Sequence, residues 1–251
     1  DYISNGDFAK FLKMNSPLKE EKIKFYTAEL VLFLEYLQSK KMIHRDLKPE
    51  NIMMNDKCHL VVIDFATIKK LGYYYDKNEM KYKKDLDFDI GDYEDIKGPK
   101  LVVNPDRIDD EISEIEKEEE FPTRKSKLKR QITFVGTEEY VSPEVIADQS
   151  AWFGADIWAL GIMLYQMYFG VTPFKSSTQY LTFQKITTPF ISFPYDQNTM
   201  STIPTNAMDL ISSILVKDPK QRLGGGNPGT KNDINHLKLH PFFKGIKWNN
   251  L

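Results

Sequence analysis

Residues 43 to 54 read Ile-His-Arg-Asp-Leu-Lys-Pro-Glu-Asn-Ile-Met-Met, and the rest of this 251-residue chain can be read outward from them. Asp46, Lys48 and Asn51 lie within six residues, ahead of the apolar runs Ile52 to Met54 and Leu60 to Ile63 and the pair Asp64-Phe65. Two short apolar runs around the polar turn Asn55-Asp56-Lys57 predict a small β-hairpin. Paired strands hold the residues at their ends at a fixed separation, as a metal site requires, and here those residues are Asn51 and Asp64. The order of side chains suits phosphoryl transfer: one carboxylate to orient a hydroxyl, a lysine for the phosphate, and an amide with a second carboxylate for magnesium.

Upstream, residues 18 to 39 place Ile23, Tyr26, Leu30, Leu34 and Leu37 at steps of three and four, which predicts an amphipathic helix of about six turns. Asn5-Gly6 is a turn signal, and Asp7 is a candidate N-cap for a short helix with Phe8, Phe11 and Leu12 on one face. Downstream, residues 155 to 169 are apolar nearly all round and predict a helix buried on every side, the central post of the fold. Further helices are expected near 177 to 186 and 204 to 216, before Asp218-Pro219, Arg222-Leu223, a glycine-rich loop at 224 to 229 and His240-Pro241-Phe242-Phe243. The fold class expected is mainly α with a small β-hairpin.

Composition sets outer bounds. A chain 41% hydrophobic and 28% charged can bury a substantial core. Its net charge of -2 removes any whole-chain argument for nucleic acid or an anionic membrane. Local charge is uneven: residues 76 to 120 hold seventeen acids against eight bases, while Thr123 to Arg130 holds five bases and no acid. The acidic run can neutralise the basic one within the chain. Residues 72 to 130 are therefore expected to be a charged, mostly disordered insert between an ordered part at 1–71 and another at 131–251, with a short helix over 109–120. The single cysteine, Cys58, allows no internal disulfide and fits a reducing compartment. The longest apolar stretch, Ile157 to Tyr165, falls well short of the roughly 20 residues that span a bilayer. No signal peptide is apparent, and the reading is of a cytoplasmic monomer.

Together these motifs resemble the C-terminal lobe of eukaryotic protein kinases, over nearly all of the chain except the insert. The order Asp-x-Lys-x-x-Asn, then Asp-Phe after a strand pair, is recognised as that family's pattern and not deduced. Lys48, two residues after Asp46, resembles the serine/threonine subclass. Phe25 to Glu29, Phe134 to Thr137, Tyr140 to Glu144, Tyr180 to Ile186 and Trp248 to Leu251 resemble the phosphoinositide-dependent branch of the AGC group.

The resemblance implies roles. Asp46 would orient the substrate hydroxyl, with Lys48 beside the transferring phosphoryl group. Asn51 and Asp64 would hold Mg2+ ions against the phosphates of ATP, Asp7 and Glu50 would contact its ribose, and Met53 would floor its adenine. A phosphate on Thr133, four residues before Thr137 of the substrate segment, would meet Arg45 and Lys69. Glu144 and Arg222 would form a buried ion pair across 78 residues. Asp156 and Trp158 would anchor the catalytic loop from the buried helix, and His44 would be a packed structural histidine. Protein substrates, namely the activation loops of related AGC kinases, are implied as partners, with membrane contact only through a domain outside this chain.

Two features depart from the family pattern. Ala66 stands where a glycine usually follows Asp-Phe, which predicts an altered loop equilibrium without loss of chemistry. No glycine-rich phosphate loop, strand lysine or hinge occurs, and Asp1 falls where a kinase hinge would end, so the other half of the ATP site is expected upstream and this fragment alone is expected to be inactive. The alternative reading is a non-catalytic kinase-like scaffold, against which the presence of Asp46, Asn51 and Asp64 together argues.

Overall fold

The computed structural model describes residues 6–71, 138–147, 151–188, 191–194 and 203–251, with the backbone of 73–76 and 81–84. Thr133, Thr137, the helix expected over 109–120 and most of the expected insert lie outside the described residues. Helix α1 (Phe8–Asn15) starts at the predicted cap: the Asp7 carboxylate accepts Lys10 N–H at 2.6 Å, and Phe8 and Leu12 are buried. Helix α2 (Glu20–Ser39) opens on Glu20 and Glu21, whose charge suits the positive end of the helix dipole.

Burial of α2 exceeds the predicted stripe, for every residue from Tyr26 to Glu35 is buried. Its polar positions look solvent-facing in sequence but have partners within the fold. Glu35 accepts Lys238 Nζ through both oxygens at 2.9 and 2.8 Å, and Gln38 Nε2 donates to the Gly224 carbonyl at 3.0 Å.

Helix α3 (Pro143–Ile146) is one short turn, and α4 (Phe153–Phe169) is the expected central post, buried at every position from Phe153 to Tyr165. It stops at Gly170, whose φ of 72° is a left-handed conformation that glycine takes without penalty. Helices α5 (Gln179–Thr187), α6 (Thr205–Ile214) and α7 (Ile234–Lys238) follow. Gly161 lets α6 approach α4 closely, since a Cβ there would lie 2.5 Å from the Ile214 side chain. The core runs without a break from Phe8 and Phe33 through Trp158 and Leu160 to Phe242.

Strand β1 (Met42–Ile43) precedes the predicted hairpin of β2 (Ile52–Met54) and β3 (Leu60–Val62), paired Ile52↔Val62, Met53↔Val61 and Met54↔Leu60. Two further pairings were not legible in sequence. β1 pairs with β4 (Lys69–Lys70), and β5 (Tyr73–Asp76) pairs with β6 (Lys81–Lys84) inside the stretch read as insert. Two-residue strands carry no alternation to detect, and the lysines of 81–84 hide strand propensity. Among the described residues no helix is long and apolar enough to cross a membrane.

Candidate active site

The hairpin brings the two predicted metal residues to its open end. Ile63 N–H donates to the Asn51 carbonyl at 2.9 Å, so the pairing continues one step beyond the strands and Asp64 emerges beside Asn51. Asn51 Nδ2 donates to the Asp46 carbonyl at 2.9 Å and to Asp46 Oδ2 at 3.0 Å. With its nitrogen committed, the amide oxygen is the atom left to meet a cation. Lys48 Nζ donates to both Asp46 oxygens at 2.9 and 2.8 Å, which completes a compact carboxylate, amine and amide cluster. The Asp64 side chain is exposed and accepts Ala66 N–H at 3.4 Å.

Two L-residues at the site take left-handed backbone conformations, Arg45 at φ 71° and Asp64 at φ 62°. Each costs of order 1 kcal/mol or more and persists only where surrounding contacts fix it. For Arg45 those contacts come from α4: Asp156 accepts His44 N–H at 2.7 Å and Arg45 N–H at 2.9 Å. Burial pushes the Asp156 carboxyl up to about 6, opposed by those two N–H groups and the Arg45 charge. The His44 ring is buried between the edges of Phe33 and Phe65, at 6.1 and 5.9 Å, and burial lowers it to about 4. Ala66 is not left-handed; that conformation falls on Asp64, two residues earlier.

Sequence reasoning missed Thr67. Its hydroxyl donates to the His44 carbonyl at 2.7 Å, and its own carbonyl accepts Arg45 Nε at 2.5 Å. This reciprocal clasp joins the Asp64 loop to the His44–Arg45 backbone, and nothing in the spacing announces it. Also missed was Gln166, whose Oε1 accepts the Tyr140 hydroxyl at 2.6 Å and so holds the 138–147 segment to α4. Glu139 in the same segment accepts the Thr172 hydroxyl and pairs with Lys175 at 3.3 Å.

The remaining predicted residues fall in three places. Asp7 bridges to Met53 and Met54 N–H donates to the Gly6 carbonyl at 3.0 Å, which sets Asp7 alongside β2, while Glu50 is exposed on the 3-10 turn Pro49–Asn51. Register puts the exposed Lys69 opposite Ile43, two residues before Arg45. Glu144 and Arg222 meet at 2.8 and 3.0 Å, both buried.

The protein kinase domain family matches residues 1–84 and 119–243. The chain belongs to the protein kinase family. The unmatched residues between them lie inside the stretch whose composition reads as insert. Among its relatives, 3-phosphoinositide-dependent protein kinase 1 of Rattus norvegicus and that of Homo sapiens are each 34% identical over 255 residues, covering 100% of this chain and 34% of the relative. The Arabidopsis thaliana protein of that name is 35% identical over 246 residues, covering 98% of this chain and 39% of the relative. The chain thus spans little more than a third of the length of these curated relatives, whose names place this kinase near the phosphoinositide-dependent, AGC-like branch.

Proposed function

We propose that this chain supplies the catalytic-loop half of an ATP-dependent protein serine/threonine kinase. The observation that carries the reading is the bonded cluster Asp46, Lys48 and Asn51 with Asp64 emerging beside it on the hairpin. Asp46 would accept the proton of a substrate hydroxyl, a role worth roughly 10²- to 10⁴-fold in rate. Lys48, already aligned by Asp46, would steady the transferring phosphoryl oxygen. Asp7, Glu50 and Met53 would form the lower wall for ribose and adenine.

The donor set fits Mg2+. Asn51 and Asp64 offer two hard oxygens, and among the described residues no cluster of three or more His, Cys, Asp or Glu could hold a metal unaided. Mg2+ is commonly held by one or two carboxylates together with substrate phosphates. When bound, it would neutralise charge developing on the phosphate oxygens.

Lys69 on β4 and Arg45, two residues beyond the end of β1, would receive a phosphate on Thr133, ordering the loop that leads to Thr137. The substrates proposed are activation loops of related AGC kinases, met by a cytoplasmic monomer. The test is phosphate transfer to a recombinant AGC-kinase domain by the full-length protein. Asp46→Asn should lower kcat at least 100-fold, and mass spectrometry of the active protein should find phosphate on Thr133. Equal, background-level activity of parent and variant would overturn the reading and favour a scaffold.

A further inference from the structure

The metal pair sits at one end of the β2–β3 hairpin, and the other end is fastened to α2 by one buried side chain. Glu29 Oε2 accepts Leu60 N–H at 3.0 Å, and Glu29 Oε1 accepts His59 Nδ1–H at 2.5 Å. His59 is itself fixed, with its backbone N–H on Asn55 Oδ1 at 2.9 Å and its ring 5.4 Å from that of Phe25. Burial pushes the Glu29 carboxyl up, and its bonds to His59 and Leu60 pull it back. A charge held inside at that cost needs its partners, and here both are in the hairpin.

The mechanical argument follows from size. Three residue pairs make a hairpin that is marginal by itself. Leu60 stands four residues before Asp64, roughly 13 Å of extended chain at about 3.3 Å per residue, so a tilt at the turn displaces the metal end. Gly6 and Asp7 brace β2 along its outer side. The corresponding brace on the β3 side is Glu29.

We propose that Glu29 is a positioning residue for the metal pair: by fastening His59 and Leu60 to α2 it sets the hairpin's tilt and hence where Asn51 and Asp64 stand relative to Asp46. This rests on the phosphoryl-transfer reading. The experiment measures Mn2+ binding by electron paramagnetic resonance in the presence of ATP, on the full-length protein, alongside thermal melting. Glu29→Leu should weaken Mn2+ binding about tenfold, in the range seen when an outer-shell partner is removed. Glu29→Gln can still accept from Leu60 and, after a tautomer change, donate to His59, so it should stay within about threefold of the parent. Gly161→Ala, where α4 meets Ile214 and Leu215, serves as a destabilised control and should melt earlier with unchanged Mn2+ affinity.

Parent-like Mn2+ binding by Glu29→Leu would overturn the proposal, as would an equal weakening in Gly161→Ala. Should Glu29→Leu not fold, His59→Leu, at a part-exposed position, carries the same expectation of weakened binding. If the unaltered protein binds no Mn2+ with ATP, the phosphoryl-transfer reading falls and this proposal with it, whereas a null result confined to the variants removes this proposal alone.

Discussion

Arg222 grips Glu144 with two parallel hydrogen bonds, Nη1 to Oε1 at 2.8 Å and Nη2 to Oε2 at 3.0 Å, although 78 residues separate them. Arg222 also donates to the Val216 and Gly154 carbonyls and lies 5.0 Å above the Trp158 ring. Removing either partner strands a buried charge. Arg222→Ala should cost about 3–5 kcal/mol of stability. Arg222→Lys should recover little of it, because an ammonium cannot reproduce the planar fork. Urea titration checks both, and a loss under about 1 kcal/mol for the alanine variant would contradict the pair's buried character.

His44 gives the fold an acid sensitivity. Its folded-state value of about 4 lies below the ordinary 6.5, so its stabilising contribution is present above pH 6.5 and lost as pH falls through 4. The shift corresponds to on the order of 3 kcal/mol. His44→Phe should therefore flatten the stability profile between pH 7 and pH 4.5, as read by denaturant midpoints. A profile as steep as the parent's would assign the acid loss elsewhere.

Asp156 works in the opposite sense. Its folded-state value of about 6 exceeds the ordinary 3.8, so the folded state gains a proton as pH falls below 6, and this contribution to stability is lost as pH rises through 6. Protonation turns one acceptor oxygen into a donor. Either His44 or Arg45 N–H then loses its partner, and the left-handed Arg45 loses a restraint. Amide exchange at these two positions, corrected for intrinsic pH dependence, should quicken below pH 6, and Asp156→Asn should show the same quickening at pH 8.

Gly161→Ala sets two effects of known sign against each other. Alanine gains about 1 kcal/mol of helix propensity over glycine. Its Cβ would stand 2.5 Å from Ile214 and 2.7 Å from Leu215 side-chain atoms. Overpacking of that kind typically costs about 1–3 kcal/mol, so a net lower melting temperature is expected. An unchanged or raised melting temperature would show that α4 and α6 can part cheaply.

Ala66→Gly should leave nucleotide affinity within a few-fold of the parent, since the left-handed turn of the loop falls on Asp64 and not on residue 66. The expected effect is a stability loss of about 0.4–1 kcal/mol through greater freedom of the unfolded chain. Isothermal titration with ATP and magnesium checks the first statement, and an affinity gain of orders of magnitude would refute it.

The parts of the fold legible in sequence were those written in local periodicity. Helix α4, the β2–β3 hairpin and the Asp7 cap all follow from spacing within a dozen or so residues. The cluster of Asp46, Lys48 and Asn51 is equally local. What stayed hidden depends on contacts between distant stretches of chain. Thr67 and Gln166 are ordinary polar residues until the backbone brings them to His44 and Tyr140. The full burial of α2 was hidden for the same reason, because Glu29, Glu35 and Gln38 find their partners 30, 203 and 186 residues away.

Helix α4 touches three separate regions of the chain. Asp156 restrains the His44–Arg45 backbone, Gln166 holds Tyr140, and Gly154 and Trp158 cradle Arg222. A small rotation of this one rod would therefore detune all three in concert without exposing the core. Temperature-sensitive alleles should accordingly concentrate between residues 153 and 168, failing on warming as a unit, while null alleles gather around Asp46.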